Sequence, residues 1–258
     1  MMRALHIAVW LIATSLLQPT YANAVELKVL CAVAMKWSLE ELTPAFEKAT
    51  GHKVSATFAT AGAVRDKIRN GEAFDVAVLP TPFMDPLAAQ GAVASQSVVV
   101  WARSLVSVGG RAGAPKPDIS TVAGFKKAML ESQAISYADP AQGGGSGIQV
   151  AKVLQALGIA EEMKPKTRLV PGPESADLVA KGEADYALAN TPLFVGKPGV
   201  DLIGSIPSEL YDVTDFAFKI GLAANTKEAD AANALIKHLT APEAAPILKR
   251  RGIEPGSG

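Results

Sequence analysis

The chain has little of several things that would narrow its chemistry at once. Its single cysteine, Cys31, stands in an apolar run among 258 residues, so no disulfide framework is available. Of the three histidines, His6 lies in the N-terminal leader and His52 and His238 sit on segments remote from the loops discussed below, so none is offered for acid–base work. The 25 basic residues balance the 25 acidic ones without a basic cluster, which leaves nothing to attract nucleic acid or a membrane surface. Neither a P-loop nor a dinucleotide-binding fingerprint is present. No cofactor and no metal-ligand set is expected.

The N-terminus carries Arg3, an apolar run from Ile7 to Leu17, a break at Pro19 and the small-x-small sequence Ala22-Asn23-Ala24. That pattern predicts a secretory signal peptide over residues 1–24, cleaved after Ala24. A membrane span needs roughly 20 apolar residues, more than this run supplies. No lipid-attachment cysteine stands at the cleavage point, so a soluble periplasmic product without a membrane anchor is expected. Removing 24 residues from 258 leaves 234, enough for one large or two modest domains.

The most informative stretch is YADPAQGGGSGIQVAKVLQAL, Tyr137 to Leu157. It reads as a strand end, a glycine-rich turn and a helix with Ile148, Ala151, Leu154 and Leu157 on one face, closed by Gly158. Gly143, Gly144 and Gly145 let a ligand approach the backbone, and Ser146 either caps the helix or offers its hydroxyl. Unpaired N–H groups at such a helix start make a seat for an anion. An ordinary strand-to-helix loop fits the same residues.

Along the rest of the chain, short strands alternate with helices. Strands are predicted at Leu27–Cys31, Val54–Phe58, Phe74–Leu79, Thr167–Val170 and Tyr186–Ala189. Helices are predicted up to Thr50, up to about Asn70, over Val122–Glu131, Ser175–Lys181 and Ala229–Leu239, and over Pro242–Arg251. Ser38 with Glu41 reads as a capping box, which puts Pro44 inside the first helix, where it should cost a hydrogen bond. The alternation implies α/β architecture with parallel-type sheets, and the extended runs near 98–108 and 216–224 read as crossings between two lobes. The division expected is 25–100 for the first lobe, 101–218 for the second, and 219–258 returning to the first.

The run VLCAVAMKWSLEELTPAFEKATGHKVSATFATAGAVRDKIRNGEAFDVAVL resembles the opening of periplasmic molybdate-binding proteins, including their FEKATG-like helix end. YADPAQGGGSGIQVAKVLQALG and the closing ALIKHLTAPEAAPILKRRGI are similar to later segments of the same family. The resemblance covers the whole mature chain. It implies a two-lobed periplasmic-binding-protein-like fold (type II), with a ligand in a hinged cleft.

Carried over residue by residue, the family's two oxyanion-binding serines fall at Ala34 and Ala61, and its late tyrosine at Asn190. Two hydroxyls are therefore lacking, which argues against molybdate. In their place stand Met35, Lys36 and Trp37 at the first loop and Arg65 one turn into the second helix. Lys36 and Arg65 would suit a larger anion with separated carboxylates, although such side chains are also common as solvated ones. Trp37 reads as a packing residue, and Thr60 as a helix cap that can also meet ligand. Gly144, Gly145, Ser146, Ser175 and Asn190 fall at the remaining cleft-facing loop ends, while Asp139-Pro140 shapes a turn.

Two function classes follow. One is a monomeric binding protein that delivers a small di- or tricarboxylate to an ABC transporter permease. The other is an enzyme on the same scaffold, because exported relatives lacking the serines include aconitate isomerases. In that case Lys36 and Arg65 would hold the substrate and Lys36 or Glu174 would move the proton. Binding is the preferred reading, with molybdate- or tungstate-type oxyanion transport as a further alternative.

Overall fold

A computed structural model describes residues 24–256. The leader expected over residues 1–24 lies outside the described residues except for Ala24. Among the described residues no helix is long and apolar enough to cross a membrane.

In chain order the first lobe opens with β1 (Glu26–Ala32), α1 (Lys36–Thr50), β2 (Lys53–Ala59), α2 (Ala61–Arg69), β3 (Val76–Pro80), α3 (Thr81–Ala89) and β4 (Val99–Arg103). The second holds β5 (Val106–Arg111), α4 (Val122–Glu131), β6 (Ile135–Ala138), α5 (Gly145–Ala156), α6 (Ala160–Met163), β7 (Thr167–Val170), α7 (Ser175–Lys181), β8 (Tyr186–Asn190) and β9 (Val200–Ser205). The chain then returns through β10 (Ala217–Leu222), α8 (Ala229–Thr240), α9 (Ala245–Arg250) and β11 (Glu254–Pro255).

One sheet has the order β11-β4-β10-β3-β1-β2 and the other β7-β6-β8-β5-β9. The parallel pairing expected from the alternation holds for β2-β1-β3 and for β7-β6-β8. The extended crossing runs add antiparallel neighbours, so each sheet is mixed. The run near 98–108 is two strands: β4 ends in the first sheet at Arg103 and β5 enters the second at Val106. The Ser104 N–H donates to the Phe216 carbonyl at 3.1 Å, so the outgoing and returning crossings lie side by side, and the Thr191 N–H after β8 donates to the Leu105 carbonyl at 3.0 Å.

Each lobe has its own core. In the first, Trp101 of β4 is buried, and its indole N–H donates to the Leu239 carbonyl of α8 at 2.7 Å. A buried aromatic of this size contributes on the order of 1.5–3 kcal/mol, and the donor bond satisfies its one polar atom. Cys31 lies in the same core, where burial pushes its thiol pKa up and keeps it protonated. Phe125, Val150, Val153, Leu154 and Leu188 centre the second core.

Several local expectations need correction. The first helix starts at Lys36 with Met35 as an uncapped N-cap, so the Ser38–Glu41 capping box does not form. Ser38 is inside the helix with its hydroxyl buried and without a partner among the described residues, and Glu41 instead meets Arg250 and Arg251 from the C-terminal end. Pro44 is accommodated mid-helix. The buried face of α5 consists of Ser146, Gln149, Val150, Val153 and Leu154, whereas Ile148 and Ala151 are only half-buried. Trp37, expected to pack, is 47% exposed between the Lys36 and Arg251 cations, 5.2 and 5.8 Å from its ring. The helix α3 and strand β9 were not expected. Pro82 and Pro86 disguise the helix, although a proline near a helix start costs little.

Candidate functional site

Strands that end at the facing edges of the two sheets bring loop tips together, and the cleft between them is built from those tips. Its first wall is the β1–α1 turn (Ala32, Val33, Ala34), the α2 start (Thr60, Ala61), the β3–α3 turn (Pro80, Pro82, Phe83) and Phe218. The second wall is Ala138, the glycine turn and first two turns of α5, Gly172 and Pro173 before α7, Ser175, and the β8 end with Ala189, Asn190 and Leu193. Asp215 and Phe216 close it at the returning crossing. The cleft offers about 120 Å³ to the centres of water molecules, several times the roughly 10–15 Å³ that one water needs.

The turn after β6 is organised by its own side chains, as expected for Asp139-Pro140. The Asp139 carboxylate accepts from the Ala141 N–H and from the Gln142 side-chain amide, both at 2.9 Å. Gly143 then takes a left-handed φ of 75°, which favours glycine. Gly144 rather than Ser146 is the N-cap of α5, and the first helical bond runs from the Ile148 N–H to the Gly144 carbonyl at 2.9 Å. The N–H groups of Gly145 and Ser146 precede that bond, and both residues line the cleft. Gly147 is held to glycine because a Cβ there would fall on the Ala138 carbonyl.

The two walls touch at this turn. The Gly62 N–H donates to the Gly143 carbonyl at 2.9 Å, and the Thr60 hydroxyl donates to the Gln142 carbonyl at 3.2 Å. Thr60 also accepts from the Ala63 N–H at 3.2 Å, so it caps α2 as its position predicts. A Cβ on Gly143 would stand 2.6 Å from the Gly62 Cα, so only glycine permits this approach.

Polar groups in the second wall are left open. The Ser175 hydroxyl and the Asn190 side-chain nitrogen are buried and have no hydrogen-bond partner among the described residues. Ser175 is 1% exposed and Asn190 is 6% exposed. A buried polar atom without a partner costs on the order of 1–3 kcal/mol, which a ligand acceptor at that point would relieve. Lys152 and Asp215 are the ionisable residues among the lining side chains.

Of the residues singled out from sequence, Thr60, Ala61, Gly144, Gly145, Ser146, Ser175 and Asn190 line this cleft, and Met35, Lys36, Arg65 and Glu174 do not. Met35 is in the first core at 0% exposure. The Lys36 ammonium lies over the Trp37 and Phe58 rings and 3.9 Å from Glu40. Arg65 pairs with Asp66 at 2.8 Å, which raises its own pKa and lowers that of Asp66, and it stands over the Phe83 ring, 5.7 Å from its centroid. It therefore backs a cleft residue without entering the lining. The Glu174 carboxylate folds over Gly172. Sequence reasoning missed Gln149 and Lys152, whose signal was helical spacing: with Gly145 and Ile148 they form one i, i+3, i+4, i+7 stripe. Asp215 lies on a 3₁₀ turn, Val213–Phe216, with no motif around it.

Residues 27–254 match the family model described as bacterial extracellular solute-binding protein. The chain is 30% identical over 235 residues to an aconitate isomerase of Pseudomonas sp, covering 89% of this chain and 87% of that one. It is 28% identical over 240 residues to the molybdate-binding protein ModA of Azotobacter vinelandii, covering 90% of each. The solved periplasmic molybdate-binding protein of Azotobacter vinelandii superposes with a TM-score of 0.75 at 23% identity, covering 90% of this chain and all of the other.

Proposed function

The chain belongs to the bacterial extracellular solute-binding proteins, and from that premise we propose that its inter-lobe cleft binds a small organic di- or tricarboxylate in the periplasm, for delivery to an ABC transporter permease. The observation that carries this reading is the pair of buried, unpartnered donors, Ser175 Oγ and Asn190 Nδ2, on the wall that also holds the open N–H groups of α5. Hydrogen bonds to a charged group contribute roughly 1.5–3 kcal/mol each. A helix N-terminus adds about 0.3–1 kcal/mol. A few such contacts reach the roughly 8 kcal/mol of micromolar binding. Ala34 and Ala61 line the other wall with methyl groups. A compact tetrahedral oxyanion needs donors all round it, so it fits this cleft less well than an anion with a carbon body.

A thermal-shift series over trans-aconitate, cis-aconitate, citrate, succinate and molybdate tests the proposal. Ligand at a hundred times its Kd adds about 2.7 kcal/mol, which raises Tm on the order of 5–10 °C for a chain of this size. A shift with molybdate and none with any carboxylate would overturn it.

A second reading, isomerisation of aconitate, is favoured by the isomerase relative and by a carboxylate, Asp215, in the lining. Neither Lys36 nor Glu174 reaches the lining, so this reading gives the base role to Asp215. The Asp215 carboxylate takes a proton from the methylene carbon of trans-aconitate, and the freed C–H pair becomes the new double bond to the central carbon. The former double-bond pair takes the proton back from Asp215 at the opposite carbon, so one proton leaves and one returns. Incubation with trans-aconitate distinguishes the readings: cis-aconitate accumulates with an enzyme, and saturable binding without turnover marks a carrier.

A further inference from the structure

α5 presents one continuous stripe to the cleft: Gly145, Ile148, Gln149 and Lys152. Its upper end is the open helix start, where the N–H groups of Gly145 and Ser146 precede the first intrahelical bond. Its lower end is a cation. At about 1.5 Å of rise per residue, the two ends are roughly 10 Å apart along the axis. Helical side chains lean toward the N-terminus, which brings the ammonium several ångströms nearer.

Lys152 also differs from the other cations near the cleft. Lys36 is engaged by Glu40 and Arg65 by Asp66. Lys152 has no ion pair or side-chain hydrogen bond to any described residue. The Ser175 hydroxyl and Asn190 amide on the same wall are likewise unpartnered, so the donors of this wall stand open at several separate points.

We infer that Lys152 is a specificity-determining anchor that takes a second carboxylate of the ligand while the first sits at the α5 start. This inference rests on the carboxylate reading of the cleft and deepens it. The site then measures the separation between two anionic groups on one molecule. A compact oxyanion engages one anchor and leaves the other empty, whereas a flexible di- or tricarboxylate bridges both.

The test is calorimetric titration of the protein and its Lys152→Met and Lys152→Arg variants with tricarballylate. Lys152→Met should raise Kd at least tenfold, and Lys152→Arg should recover most of that loss. The unliganded melting temperature should not move, because the side chain is exposed and unpaired. Equal tricarballylate affinity in the parent and Lys152→Met proteins overturns the anchor and leaves the carboxylate reading intact. If the parent binds no di- or tricarboxylate at all, the carboxylate reading itself fails and the anchor with it.

Discussion

Apart from Thr60, the first lobe faces the cleft with Ala32, Val33, Ala34, Ala61, Pro80, Pro82, Phe83 and Phe218, while the second adds to its own apolar residues and glycines the polar side chains of Ser146, Gln149, Lys152, Ser175 and Asn190. The single side-chain hydroxyl of the first wall, on Thr60, is already committed to the Gln142 carbonyl and the Ala63 N–H. On the second wall two side-chain donors have no partner among the described residues. Polar recognition is thus concentrated in one lobe, and the other supplies shape, excludes water and touches the glycine turn through backbone. The low-dielectric first wall strengthens each hydrogen bond made on the second.

Three substitutions test this division. The largest effect is expected for Ser175→Ala combined with Asn190→Ala. Loss of two charged hydrogen bonds should weaken carboxylate binding on the order of a hundredfold or more. The unliganded melting temperature should hold or rise, because two orphaned polar atoms are removed. The matched change on the first wall, Thr60→Val, should do the reverse. It removes a helix cap worth about 1 kcal/mol and lowers Tm by roughly 2–4 °C, with affinity within about threefold. Titration and melting curves on the same samples decide both halves. If Thr60→Val cost as much affinity as the double change, the contrast between walls would be lost.

A smaller effect is expected for Gly62→Ala, which puts a methyl group against the Gly143 backbone across the cleft. Overpacking costs about 1–3 kcal/mol, roughly ten- to a hundredfold in affinity, if it keeps the walls apart. Small-angle scattering should report a more open particle with ligand present. A variant as compact and as tightly binding as the parent would show that this contact does not limit closure.

The smallest effect lies away from the cleft, where Glu41 of α1 meets Arg250 at 2.5 Å and Arg251 at 3.4 Å. The hydrogen bond from Arg250, assisted by the charges of both arginines, lowers the Glu41 pKa. A carboxyl whose folded pKa is depressed contributes stability that is present above its unfolded value, about 4.3, and is lost as pH falls through the lower folded value. Because the pair is solvated, the contribution should be below about 1 kcal/mol. Glu41→Gln should therefore lower Tm slightly at neutral pH, and the difference from the parent should shrink as pH falls through the lowered folded value. A difference that persisted in acid would point to packing instead of charge.

What was legible in the sequence follows from chain order. Loop tips after β2, β6, β7 and β8 could be placed because alternation puts strand ends at one edge, and Thr60, Ala61, the glycine turn, Ser175 and Asn190 came with them. Azimuth around a helix was not legible in the same way. Lys36 and Arg65 sit at the right height near helix starts, but Trp37, Phe58 and Phe83 draw their side chains aside. Lys152 is two turns farther from the turn and nonetheless faces the ligand space, because Val150, Val153 and Leu154 turn the opposite flank of α5 into the core. The crossing strands were visible as long apolar runs, but their antiparallel pairing depended on which neighbours they met.

The hydrogen bond between Gly62 and Gly143 joins main chain to main chain. It is indifferent to which side chains line the interior, so substitutions there can exchange one guest for another while the way the jaws meet is preserved. That separation gives the scaffold a means of diversifying its cargo without redesigning its clasp.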